Sequence, residues 1–171
     1  MRSAFSLLFA GLAGLIALDG CAHYQLGSGT KPGFATLYIA PVQNRSDLPQ
    51  AAAIVSAQLR EAFLRDGRVG LVGSPAEADA TLAVTLVSYS RETLTTQPGD
   101  AGLARKFGLT LNATATLHSQ RSGQTLFAAR PLQAERQIFT DSGQLLAETN
   151  AVPLLAETLA TAALHATLDT W

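Results

Sequence analysis

The chain holds a single cysteine among 171 residues, so no disulfide within it can brace the fold. Charge is scarce: Asp, Glu, Lys and Arg make up 15% of the residues, below the usual quarter. There is no basic excess, with 12 basic against 13 acidic residues and a net charge of −1, which argues against a nucleic-acid partner. Catalytic signatures are missing too: no Gly-x-Ser-x-Gly, no P-loop and no Gly-x-Gly-x-x-Gly occurs, and Gly27-Ser28-Gly29 does not follow a strand pattern. His23, His118 and His165 stand apart, none at metal-ligand spacing from another His, Asp, Glu or Cys. Asp79 and Glu77 sit two apart in a turn and read as solvated. No constellation of the kind an enzyme needs can be assembled from these residues. What is abundant is apolar: 47% of the chain is hydrophobic, enough for one packed domain and too much for disorder.

The compartment is written in the first residues. Arg2 precedes an uncharged run of 12 residues, Leu7 to Leu18, shorter than the roughly 20 needed to span a bilayer and suited to a signal-peptide core. The run ends in Leu18-Asp19-Gly20-Cys21, which resembles the lipobox of bacterial lipoproteins. Leu18 fills an apolar subsite, the small Gly20 lets the peptidase reach the bond, and the Cys21 thiol takes the diacylglycerol. Asp19 departs from the uncharged small residue common there. Residues 1–20 are therefore expected to be a signal peptide, with lipidation at Cys21 and no other cofactor. Several acyl chains anchor far more firmly than one. Ala22 rather than Asp after the cysteine favours the outer membrane, as the lipoprotein pattern implies. Residues 21–36 form a tether rich in Gly, Ser and Pro; the 13 residues from Ala22 to Phe34 reach about 45 Å when extended.

From residue 37 the periodicity alternates between two and 3.6. Leu37 to Val42 is the first strand, with Pro41 near its end, followed by a loop over Asn44 to Leu48. Pro49 opens a helix whose stripe is Val55, Leu59, Ala62 and Phe63, stopped by Asp66-Gly67 with Gly67 as a left-handed cap. Arg68 to Val72 is a short strand. Ala80 to Leu94 alternates with both rows apolar near its start, which marks a central strand; Leu82, Val84, Leu86 and Ser88 point one way, Ala83, Thr85, Val87 and Tyr89 the other. In Lys106 to Ser119, Phe107, Leu109, Leu111, Ala113, Ala115 and Leu117 oppose a polar row of Thr110, Asn112, Thr114, Thr116 and His118. A turn at Arg121 to Gln124 leads to a strand from Thr125 to Phe139, interrupted near Pro131. The end is helical, with the stripe Val152, Leu155, Leu159, Ala162 and Ala166. It starts either at an Asn150 cap or as one longer helix from Gly143 kinked at Pro153. The expected class is α+β: a mostly antiparallel sheet of four to five strands with two helices packed on one face, the other face carrying the threonine row.

Several segments, in order, resemble the LptE family of lipopolysaccharide-assembly lipoproteins: Cys21-Ala-His-Tyr-Gln-Leu-Gly, Leu37-Tyr-Ile-Ala-Pro-Val-Gln-Asn44, Asp66-Gly-Arg-Val-Gly-Leu-Val72, Ala78-Asp-Ala-Thr-Leu82, Tyr89-Ser-Arg-Glu92, Ser122-Gly-Gln124 and Ala151-Val-Pro-Leu-Leu-Ala156. His23 stands where Gly is common. The resemblance implies a non-catalytic plug and assembly partner of an LptD-type outer-membrane β-barrel, over residues 37–171, that binds lipopolysaccharide and sits on the inner leaflet of the outer membrane through its lipid. A polar, threonine-rich face suits a wet barrel lumen.

The basic residues Arg91, Arg105, Lys106, Arg121, Arg130 and Arg136 lie in or beside the later strands. Gathered at one end of the sheet, they would meet phosphorylated head groups by charge-assisted hydrogen bonds. The alternative is a scatter of surface charges paired with Glu92, Glu135 and Asp141. The Ile39-Ala-Pro-Val-Gln-Asn44 strand before an amphipathic helix also resembles lipoprotein activators of peptidoglycan synthases and TolB-type envelope modules. Three long antiparallel strands followed by one terminal helix would favour the LptE family over these.

Overall fold

A computed structural model of the chain describes residues 32–96, 104–139 and 144–169. The expected signal peptide, Cys21 and the tether up to residue 31 lie outside the described residues. Phe34, at the end of the stretch expected to be tether, is 7% exposed and belongs to the core, so the folded body begins before residue 37.

Strands β1 (Thr36–Ile39) and β2 (Gln43–Asn44) lead into helix α1 (Ala51–Asp66), strand β3 (Gly70–Leu71) and a short 3₁₀ turn at Pro75–Glu77. Three long strands follow, β4 (Ala80–Thr96), β5 (Ala104–Ser119) and β6 (Thr125–Phe139), and then helix α2 (Gln144–Leu168). Among the described residues these strands make one six-stranded sheet in the order β3-β1-β4-β5-β6, with β2 beside β4. The class is α+β as expected, and β4, β5 and β6 pair antiparallel. The short strands differ from expectation: β1 runs parallel to both β3 and β4, and β2 parallel to β4. Between β1 and β3 the chain passes through α1, and such a crossover permits parallel pairing where a tight turn cannot. The Gln43–Asn44 strand lies between the expected first strand and the expected loop and takes in the loop's first residue; two residues are too few to show alternation.

Val55, Leu59 and Phe63 of α1 are wholly buried, and Gly67 caps it at φ 71°, its N–H donating to the Phe63 carbonyl at 3.1 Å. The expected stripe and stop signal are both met. Helix α2 takes the longer of the two expected courses, with Pro153 inside it. Its apolar length would suffice to cross a membrane, yet more than half of that stretch is buried in the fold. Leu155, Leu159 and Leu168 join Leu82, Leu86, Leu109, Leu111 and Leu117 in one cluster with the inward face of α1. Both helices therefore cover the same sheet face.

In β5 the buried row is the one expected, and it ends in Leu117. In β4 a bulge breaks the alternation: Leu86 pairs with Ala113 but Ser88 with Asn112, leaving Val87 unpaired and 47% exposed. Beyond it the faces exchange. Ser88 joins the open face and Asn112 donates to its hydroxyl at 3.1 Å, while Tyr89, opposite Leu111, turns toward the helices. The expected sides of Ser88 and Tyr89 are thus reversed. Strand β6 runs on through Pro131, which pairs opposite Thr114; its pairing with β5 shifts at Ala128–Ala129, where Ala129 has φ 47°, and again at Leu126. Being an edge strand, β6 tolerates a proline without an amide hydrogen.

Candidate functional site

The sheet has two ends of different chemistry. At the base, where the chain arrives through Pro32 and the β5–β6 turn folds back, charges cancel one another. The Asp79 carboxylate accepts hydrogen bonds from the backbone N–H of Ala35 and Thr36 at 2.9 and 3.0 Å, and from Arg121 at 2.7 Å. These hold its pKa down at about 2, the backbone donors contributing most. Asp79 was expected to be a solvated turn residue. It is instead the pin that joins the start of β1 to β4 and to the β5–β6 turn, a role no local pattern reveals because its partners lie more than forty residues away. Nearby, Arg68 spans Asp66 and Asp169 at 2.8 and 2.6 Å and so ties the ends of the two helices. His165 also bonds Asp169, which with Arg68 holds that carboxyl below its ordinary range. A hollow of about 250 Å³ beside Phe34, Leu126 and Arg121 opens here.

The opposite end, the tip, collects the late part of β4, the start of β5, the end of β6 and the start of α2. Arg91 lies on the helix side, bonded to Glu148 of α2, with its guanidinium 5.4 Å from the centre of the Phe107 ring. Lys106 lies on the open side, 5.7 Å from the centre of the Phe139 ring with which its residue pairs. Arg136 is exposed, opposite Leu109 on the edge strand. The same end carries exposed apolar side chains on both sides of the sheet: Leu94 and Phe139 on the late strands, and Leu145 and Leu146 on α2, the last two 80% and 54% exposed. Cations and exposed apolar side chains gathered at one end of a fold suit an amphiphile with an anionic head. The tyrosine turned inward by the bulge sits just below. Its hydroxyl is buried without a hydrogen-bond partner among the described residues, and burial, helped by the charge of Glu148, holds its pKa above the ordinary range.

The six basic candidates are thus divided. Arg91, Lys106 and Arg136 lie at the tip, Lys106 on the opposite face of the sheet from Arg91. Arg105 lies in the same stretch of β5; its side chain is outside the described residues. Arg121 is at the base. Arg130 is on the helix side partway down β6, its guanidinium 4.3 Å from the centre of the Phe127 ring and donating to the Ala166 carbonyl at 2.8 Å, where it closes the last turn of α2. The apolar members of the tip were missed by the sequence analysis, although Leu145 and Leu146 fall outside the stripe of α2 and were in that sense visible.

Between the two ends the open face carries Thr81, Thr85, Thr110, Asn112, Thr114 and Thr116, all partly exposed. Thr81 and Thr116 accept hydrogen bonds from Gln120 and from the Ala129 N–H. Among the described residues no group of three or more His, Cys, Asp or Glu side chains is placed to hold a metal ion.

Residues 34–165 match the family model of the lipopolysaccharide-assembly proteins, LptE. The chain belongs to the LptE family. LptE is a family of non-enzymatic lipoproteins of the bacterial envelope, and membership implies a role in lipopolysaccharide assembly. No curated protein matches the sequence. Solved structures share the LptE-like fold at low identity. An uncharacterized lipoprotein B from Nitrosomonas europaea is 16% identical with a TM-score of 0.55, over 84% of this chain and 87% of that one. A protein from Xanthomonas campestris is 14% identical with a TM-score of 0.56, over 82% and 86%. A hypothetical protein from Chlamydia trachomatis is 11% identical with a TM-score of 0.55, over 77% and 94%.

Proposed function

We propose that this protein is a non-catalytic outer-membrane lipoprotein that plugs an LptD-type β-barrel and assists lipopolysaccharide on its way through. The reading is carried by membership of the LptE family over residues 34–165. Lipid on Cys21 holds the body at the inner leaflet of the outer membrane and raises its concentration near its partner in that plane. The threonine-bearing open face turns to the water-filled lumen, where hydroxyls exchange hydrogen bonds with water at little cost. The tip meets lipopolysaccharide: Arg91, Lys106 and Arg136 meet the phosphates, and the exposed leucines and Phe139 meet the acylated part. Arg121 and Arg130, engaged elsewhere, take no part in this.

Purification of the lipidated protein from detergent-solubilised outer membranes tests the first half. A large β-barrel should come with it in a fixed ratio, and recovery of the protein alone would defeat the plug reading. The second half is tested by reversing Arg91, Lys106 and Arg136 together to Glu. Lipopolysaccharide binding should fall by about tenfold or more, the loss of two or three charge-assisted contacts; unchanged binding would remove the tip from the reading.

A further inference from the structure

Helix α2 changes character at Pro153. Beyond it the buried row is Leu155, Leu159, Leu164 and Leu168. Before it the inward positions are the half-buried Ala147 and the buried Ala151 and Val152, which offer much less apolar surface to the core, while Leu145 and Leu146 face outward. Pro153 has no amide hydrogen for the Thr149 carbonyl, so the helical ladder is broken where the grip on the sheet weakens. At this level the Arg91–Glu148 ion pair links the helix to β4. On the same sheet face lie Phe107, under the Arg91 guanidinium, Leu109, opposite Arg91, and Tyr89, whose hydroxyl is a buried donor with no partner among the described residues. A hydroxyl kept in such surroundings lowers stability unless something arrives to bond it.

We propose that residues 145–152 are a flap, hinged at Pro153, that lifts to admit one acyl chain of a phosphorylated, acylated sugar between α2 and the sheet. Arg91 and Arg136 stand at the mouth and the Tyr89 hydroxyl donates to an ester or amide carbonyl of the chain. The Arg91–Glu148 pair is one tie across the mouth, and an incoming phosphate competes with the Glu148 carboxylate for the guanidinium. This inference rests on the lipopolysaccharide reading of the tip and adds the entrance and its gate.

The full lipidated protein is titrated with lipid A and, separately, with fully deacylated lipid A. The variants Pro153→Ala and Tyr89→Phe are titrated alongside. Restoring the helical hydrogen bond with Pro153→Ala stiffens the hinge and should lower lipid A affinity about tenfold. Tyr89→Phe should lower it about fivefold, the worth of one hydrogen bond. Neither variant should change affinity for the deacylated sugar, and neither should melt below the wild type, since one removes a helix breaker and the other an unpartnered buried hydroxyl. Wild-type protein that binds neither probe defeats the lipopolysaccharide reading and the flap with it. Lipid A binding untouched by both variants overturns the flap alone. Equal losses for both probes also overturn it, because the variants would then act on the head-group contacts at the mouth.

Discussion

At the scale of single residues, the side chains that decide this fold are ones whose neighbours in sequence say little about them. Asp79 looks like one more polar residue in a turn, yet its carboxylate gathers three donors from two other parts of the chain. In the unfolded chain an aspartate titrates at about 3.9; in the folded protein its three donors hold this one down at about 2. Through the window between those values the unfolded state binds more protons, so stability falls as pH falls. Asp79→Asn should therefore be less stable than the wild type in urea at pH 7. The gap should narrow from about pH 4 downward and close near pH 2, and a gap that stays constant across that range would mean the carboxylate charge is not what matters. Ala129 is a second case. Its φ of 47° is one that only glycine adopts without strain. Ala129→Gly should raise the melting temperature by the equivalent of about 0.5–1 kcal/mol, the strain relieved less the entropy that glycine adds to the unfolded chain. Nothing in the run Phe127-Ala-Ala-Arg130 signals a left-handed residue, because alanine is chosen there against its own preference.

Elements were legible where they are long. The stripe of α1 with its Gly67 stop, the buried row of β5 and the run Val152, Leu155 and Leu159 of α2 follow from period alone, whereas the buried Leu164 and Leu168 lay outside the expected stripe. The two-residue strands β2 and β3 carry no period, and their parallel pairing depends on where α1 returns the chain. The bulge at Val87 was invisible for a different reason. Both rows of β4 are apolar near its start, so either side of Tyr89 was compatible with the pattern. This has a testable side. Because Val87 is the extra residue in β4, deleting it lets Ser88 follow Leu86 in regular pairing and leaves Tyr89 facing the helices. The deletion should fold at a loss of about 1–2 kcal/mol. Deleting Val84, which is 1% exposed in a regular stretch, reverses the faces of everything on one side and should not give a folded protein. Near-equal melting of the two deletions would show that register here is loosely held. In α2, Leu159→Ala should cost about 2–5 kcal/mol in urea unfolding, since Leu159 is wholly buried between α1 and the sheet.

For the whole molecule, the division of labour between the two ends and the open face matters most, and the sequence disclosed it only in part. The basic residues could be counted, but which of them meet depends on the β4–β5–β6 register, which brings Arg91, Lys106 and Arg136 to one end and sends Arg121 to the other. The open face was legible as a threonine row, and its proposed place in a barrel lumen can be tested without disturbing the core. Thr114 sits midway along β5 on that face, partly exposed, with Pro131 as its cross-strand neighbour. A tryptophan there meets solvent in the isolated protein, so stability should stay within about 0.5 kcal/mol of the wild type. Inside a lumen shaped to this face, the added rings have no room. Thr114→Trp should therefore express and reach the membrane normally while recovering several-fold less barrel in co-purification. Asp47→Trp, at an exposed position in the loop before α1, is the control and should recover as much as the wild type. Equal recovery of barrel by both variants would mean that the threonine face looks out on water, and that some other surface of the protein makes the seal.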